Sequence, residues 1–253
     1  MKKNYYVYVF ILLVVSIIIM LSIIHFLLSC KNTENFDNPK ITDNNIKIYV
    51  ITLRQQQRME NIKEQQKKIK RNIEIVDAVN GDTLNTDELI KGGLLSESYK
   101  NPTKTNKREI GCYMSHMNLY NLIKTNNIRG YTLILEDDCN FISTDFMDVL
   151  KDSINKLRNY DYDFFYLGNL ENNRGELIVD NIYKANDNEE LYGTHCYLVN
   201  NKNIDKIINS TKFIASPIDN TIHDLSKKKI LNVLVMYPVI ATQSGSSYST
   251  IRD

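Results

Sequence analysis

Short apolar runs alternate along this chain with longer stretches whose apolar positions recur every three or four residues. Each short run reads as a strand and each longer stretch as a helix. Residues 46–53 (IKIYVITL) form the first predicted strand. Residues 55–70 follow as a helix, with Met59, Ile62, Gln66 and Ile69 on one face. Residues 73–79 form a second strand, closed by the turn signal Asn80-Gly81-Asp82. Strand, helix and strand in that order predict a parallel pair joined by a right-handed crossover. Residues 82–106 are weakly patterned, with Gly92-Gly93 and Asn101-Pro102 as breaks. A connection of that length often covers a ligand site.

The alternation then resumes. Residues 108–126 predict a helix whose apolar side carries Ile110, Met114, Met117, Leu119, Leu122 and Ile123. Residues 131–135 are a buried strand, 144–158 a helix and 162–167 a strand. A polar loop (169–180) leads to a short strand at 181–185 and another at 193–199. Helices at 202–209 and 216–228, a last strand at 230–236 and a polar tail from 237 complete the chain. There is no internal repeat. The pattern predicts one α/β domain over residues 46–253.

The first thirty residues break the pattern. Residues 5–28 are apolar and carry no Asp, Glu, Lys or Arg, with His25 and tyrosines their only titratable groups. A helix of about 20 such residues crosses a bilayer. Lys2 and Lys3 precede the run, which by the positive-inside rule predicts a single-pass type II anchor. A cleaved signal peptide would have an apolar core of only about 7–15 residues. The expected organisation is therefore an anchor at 1–30 embedded in a lipid bilayer, a polar stem at 31–45, and a domain on the lumenal or extracytoplasmic side.

Composition adds little. The formal net charge is +1, from 31 basic and 30 acidic residues, so no basic footprint for nucleic acid is present. The four cysteines (Cys30, Cys112, Cys139 and Cys196) have no CxxC spacing. They read as buried small hydrophobes, with a Cys112–Cys196 or Cys139–Cys196 bridge as the alternative in an oxidising lumen. The four histidines form no HxxxH or HxH pair that would suit zinc.

The chemistry concentrates where the strand at 131–135 ends on Glu136, Asp137 and Asp138. Three adjacent carboxylates do not all ionise cheaply without a counter-charge. The triplet is either a solvated acidic turn or a site for Mn²⁺ or Mg²⁺ together with a phosphorylated ligand. His116 reads as a structural hydrogen-bonder or a catalytic group, and Asp219 as a first-turn helix acid or a base. Arg54 and Arg58 either meet phosphate or decorate a helix start.

Five blocks in this order resemble glycosyltransferase family 25, which contains bacterial lipooligosaccharide galactosyltransferases and collagen hydroxylysine galactosyltransferases. They are residues 48–53 with Arg58, residues 77–81 (DAVNG), residues 108–116 (REIGCYMSH), residues 133–138 (LILEDD), and residues 193–199 (GTHCYLV) with Pro217-Ile218-Asp219. Thr52 and Lys107-Arg108 depart from the family pattern. The resemblance implies a GT-A-type fold with a Rossmann-like, mostly parallel sheet. It also implies a UDP-hexose donor, a glycan or glycoprotein acceptor, Mn²⁺ or Mg²⁺, and inversion at the sugar. It places Asp138 and Glu136 at the metal, with Leu53, Arg54, Arg58, Glu136 and Asp137 around the donor. Asp219 becomes the general base, with His116 or His223 as substitutes. Two other classes compete: a catalytically silent nucleotide- or glycan-binding domain, and a metal-dependent phosphohydrolase. The second would need further short-spaced ligands for a second metal, which the sequence lacks.

Overall fold

The computed structural model describes residues 40–244, preceded only by Ser16, Ile19, Met20 and Ser22, which are helical and exposed. The apolar run expected to cross a bilayer therefore lies almost wholly outside the described residues. Among the described residues no helix is long and apolar enough to cross a membrane. The chain divides into two units, Met1–Lys40 and Ile41–Asp253. Every element named below lies in the second.

Ten strands are described: β1 (Ile46–Thr52), β2 (Glu74–Asp77), β3 (Tyr131–Glu136), β4 (Cys139–Phe141), β5 (Phe164–Gly168), β6 (Leu177–Val179), β7 (Ile182–Lys184), β8 (Cys196–Asn200), β9 (Val233–Met236) and β10 (Ala241–Gln243). The helices are α1 (Gln56–Ile69), α2 (Thr86–Lys91), α3 (Lys104–Thr125), α4 (Phe146–Lys156), α5 (Ile204–Thr211) and α6 (Ile218–Lys227). Eight strands form one sheet in the order β2-β1-β3-β8-β5-β9-β7-β6. β1 runs parallel to β2 and β3, and β5 parallel to β9. β8 runs antiparallel to both β3 and β5, and β7 antiparallel to β9 and β6. Six strands thus point one way and two the other. No helix separates β5 from β8, and parallel neighbours need a crossover of helical size. Hydrophobic periodicity reports burial and is silent on strand direction.

The sheet is covered on both faces. Alternate residues of β1 go to opposite sides, as the pleat requires. Ile46, Ile48 and Val50 join Leu133, Leu135, Phe165 and Leu198 against α1 and α4. Tyr49 and Ile51 join Ile134, Phe164, Tyr197 and Val199 against α3, α5 and α6. This α/β/α layering matches the expected fold class.

Several elements depart from expectation, among them β6 (Leu177–Val179), which lies in the predicted polar loop. α3 begins at Lys104, ahead of the predicted start, because Thr103 caps it. The Thr103 hydroxyl accepts the Asn106 N–H at 3.1 Å, and the Asn106 amide oxygen accepts the Thr103 N–H at 3.2 Å. On α1 the buried polar position is Gln65, not Gln66, and Arg58 is buried beside it. Finally, β4 and β10 pair antiparallel, with Gln243 opposite Cys139. Each has only three residues, too few for a periodic signal.

Candidate active site

The C-terminal ends of β1 and β3 and the loop after β2 surround a cleft of about 230 Å³. Its walls are residues 51–53, 55, 78–82 and 136–138, with Arg108, Cys112, Ser115, His116 and Gln243. In open α/β sheets, ligands bind beyond the carboxyl ends of the strands. The acidic triplet lies there because β3 ends on Glu136 and turns immediately.

That turn is held from below by a polar stripe along α1. Arg58, Asn61, Gln65 and Lys68 fall at helical spacing on one face. Arg58 Nη1 lies 3.5 Å from Asp137 and 3.2 Å from Asp138. Asn61 Nδ2 donates to the carbonyls of Asp137 and Cys139, both at 3.0 Å. Gln65 accepts the Phe141 N–H at 2.9 Å and donates to Asn140 at 3.2 Å, and Lys68 bonds the Phe141 carbonyl. From the other side, Gln243 Nε2 donates to Asp138 Oδ2 at 2.8 Å, and the Ser244 N–H donates to the Asp138 carbonyl at 2.9 Å.

The opposite wall depends on two glycines. A Cβ on Gly111 would lie 2.7 Å from the Val79 carbonyl oxygen and 2.8 Å from the Gly81 nitrogen. One on Gly81 would lie 2.2 Å from the Lys107 carbonyl oxygen. Helix α3 and loop 79–82 therefore touch backbone to backbone. Ser115 finishes the joint: its Oγ accepts the Val79 N–H at 2.8 Å and donates to the Gly111 carbonyl at 2.7 Å. Arg108 enters the cleft from α3, with Nε 3.3 Å from Asp82.

Glu136 lines the same cleft as Asp138 and also meets a second polar cluster. Its Oε1 accepts the Thr194 hydroxyl and lies 3.4 Å from His116 Nε2. His116 is fully buried, and its Nδ1 is 2.7 Å from Tyr197 Oη, which in turn is 2.8 Å from Tyr120 Oη. Burial pulls the Glu136 carboxyl up, but the hydrogen bonds from His116 and Thr194 outweigh it and leave it below the usual range. Asp138 goes the other way. Burial, then the charge of Glu136, raise it to about 6, and Gln243 and Arg58 offset only part of that. Burial also raises Asp137, against the Thr52 hydroxyl and Arg58. One oxygen of Asp138, Oδ1, is buried without a hydrogen-bond partner. A buried carboxylate oxygen left unsatisfied, beside two further carboxylates, suits a hard divalent cation. The residues present therefore fit Mn²⁺ or Mg²⁺, with Asp138 and Asp137 as the oxygen donors closest in character.

Leu53, Glu136, Asp137, Asp138 and His116 all line the cleft. Arg54 and Arg58 do not. Arg54, in the left-handed region at φ 59°, pairs with Asp77 on the surface. Arg58 neutralises the acidic turn from beneath. The cation in the cleft wall is Arg108, which the sequence placed at a helix start and in a family block but not at the donor. Asp219 stands in the first turn of α6, outside the cleft lining. Its Oδ2 accepts the Gly193 N–H at 3.1 Å and its Oδ1 the Asn220 N–H at 2.9 Å. Burial raises its carboxyl despite both bonds. His223 is remote from this chemistry, with Nε2 3.1 Å from the Asn186 carbonyl and Nδ1 3.5 Å from Glu190. Cys112, Cys139 and Cys196 are free thiols, so neither bridge forms. Thr194 was read only as part of a strand-like family block, and Gln243 only as part of a polar tail.

A sequence model described as glycosyltransferase family 25 (LPS biosynthesis protein) matches residues 45–222. Procollagen galactosyltransferase 1-A of Xenopus laevis is 26% identical over 182 residues, covering 68% of this chain and 30% of that protein. Procollagen galactosyltransferase 2 of Homo sapiens is 25% identical over 149 residues, covering 56% and 24%. The chain thus spans less than a third of the length of these relatives.

Proposed function

The chain belongs to glycosyltransferase family 25, and on that premise we propose that it moves a hexose from a UDP-sugar to a hydroxyl of a glycan or glycoprotein acceptor, with inversion. Galactose is the first sugar to try, since the relatives above are named galactosyltransferases. The observation that carries the reading is Asp138, a strand-end carboxylate with one buried oxygen unpartnered at the floor of the cleft.

In this reading Asp138, steadied by Gln243 and Arg58, holds Mn²⁺ or Mg²⁺ with Asp137. A bound cation of this kind supplies Lewis-acid stabilisation of a diphosphate leaving group. Arg108 offers a charge-assisted contact for the donor phosphates. Loop 78–82 and Leu53 flank the nucleotide. Glu136 orients the donor, its own geometry fixed by Thr194 and His116.

Asp219 is the general base. Both ring nitrogens of His116 are engaged and the ring is fully buried, whereas Asp219 retains exposure and a raised pKa, which suits proton abstraction near neutral pH. It takes the acceptor hydroxyl proton as the oxygen attacks the anomeric carbon.

UDP release from UDP-galactose with Mn²⁺ and an acceptor tests the reading. Asp138→Ala should abolish metal-dependent release while circular dichroism stays native. Full activity in that variant would sink the metal assignment. Release of inorganic phosphate instead of UDP would point to the hydrolase.

A further inference from the structure

We propose that Cys112, His116 and Glu136 form a second cation site, for a borderline-soft divalent ion of the zinc class, distinct from the hard-oxygen site at Asp138. Cys112 and His116 are four residues apart on α3 and so share one face of the helix. The end of β3 brings Glu136 against that face. One ligand atom from each residue lies within 4.8 Å of the other two. The donor set is sulfur, nitrogen and oxygen, which favours zinc or cobalt over magnesium or manganese.

The distances are close to what such an ion needs. With bond lengths of about 2.0–2.3 Å, tetrahedral ligands stand roughly 3.3–3.6 Å from one another. His116 Nε2 and Glu136 Oε1 are already 3.4 Å apart. That separation, a hydrogen bond at the long end of the range, also matches one edge of the tetrahedron. Cys112 Sγ, within 4.8 Å of both other ligand atoms, comes in by a side-chain rotation. The ring is aimed by Tyr197 Oη at 2.7 Å from Nδ1, and the carboxylate by Thr194, so both ligands carry the outer partners typical of metal ligands. Cys112 and His116 line the cleft, which leaves the fourth position facing it. Three protein ligands and an open position describe a site that takes a small ligand or a substrate oxygen. Binding sets the Cys112 thiol proton free to solvent, the sulfur coordinating as thiolate.

The site requires no chemistry at Asp138 and stands whether or not the transferase reading holds. If both are right, zinc draws Glu136 and His116 out of the donor pocket and inhibits transfer.

The test is a Co²⁺ titration of the metal-stripped full-length protein in saturating Mg²⁺, which occupies hard-oxygen sites. The expected result is a thiolate-to-cobalt charge-transfer band that saturates at one equivalent and is displaced by Zn²⁺. Cys112→Ser, a near-isosteric change, should lose the band, and His116→Gln should weaken cobalt binding at least tenfold. Circular dichroism checks that both variants fold. Absence of the band in the parent protein, or its persistence in Cys112→Ser, overturns the proposal. Zinc inhibition of UDP release is a separate readout: binding without inhibition would count against the transferase reading of Glu136 and leave the site intact.

Discussion

At the residue scale, Asp138 is an acid kept in a poor place for a charge. Its pKa in the folded, metal-free protein is raised to about 6 from the ordinary 3.8. Between those values the native state holds a proton that the unfolded chain has released. Stability from this group is therefore greatest below pH 4 and falls as pH rises through 6. A shift of about two units corresponds to roughly 3 kcal/mol. Urea unfolding of the metal-free protein at pH 5 and pH 7.5 should show roughly half of this loss, the rest falling below pH 5, and Asp138→Asn should be the more stable protein at the higher pH. Saturating Mn²⁺ should reverse the order, because the parent alone gains from the ion. The neighbouring carboxylate has the opposite environment: His116 and Thr194 hold Glu136 ionised. Apart from the family resemblance, the sequence showed three adjacent acids with nothing local to tell them apart. What separates them comes from residues 20 to 105 positions away, which no local pattern reports.

At the element scale, α1 and α3 are amphipathic in a way that hydropathy reads incompletely. The inward face of α1 carries Ile62 and Ile69, but beside them runs the stripe of Arg58, Asn61, Gln65 and Lys68 that holds the acidic turn. Asn61→Ala strips an amide donor from two carbonyls and should cost about 1–2 kcal/mol, with a raised requirement for metal in the transfer assay. On α3 the small residues matter as much as the large ones. Gly111→Ala sets a methyl against the backbone of residues 79 and 81, so loop 79–82 must move. The expected loss is about 1–3 kcal/mol in urea, with a larger fractional fall in donor affinity. The strands and long helices were legible because their apolar periods are strong. The three-residue strands β4, β6 and β10 were not, since they exist only through their pairing partners. The misplaced arginines have a similar origin: Arg54 and Arg58 both follow β1 closely, and only the left-handed turn at Arg54 and the helical phase of Arg58 decide what each one meets.

At the scale of the whole molecule, one sheet with helices on both faces assembles a site from β1, β3, α3 and the ends of distant loops. The unit Ile41–Asp253 contains all of it. For the apolar run at 5–28 the proposed role is attachment. The full chain expressed with membranes should sediment with them and resist alkaline carbonate extraction. A chain beginning at Ile41 should stay in the supernatant with its unfolding transition unchanged. Recovery of the full chain in the carbonate-soluble fraction would refute the anchor. The family was readable in the sequence because its blocks keep their order through all of these elements. The cluster of Cys112, His116 and Glu136 was not, because two of its members face the third only after α3 has packed on the sheet.

The pairing of β10 with β4 bears on the order in which a nascent chain acquires its parts. Main-sheet strands β1, β3, β8, β5 and β9 are all complete by Met236. The amide that steadies Asp138 is residue 243, and the backbone N–H that caps the acidic turn is residue 244. These are the last of the described residues to be synthesised, and domains generally fold as units. A chain ending just before Ala241 would carry every main-sheet strand, yet it would lack Gln243 from the cleft wall and with it the β10 partner of Asp138. If Asp138 holds the cation as proposed, its grip depends on a strand outside the main sheet, and removal of β10 should weaken ion binding more than it alters the sheet.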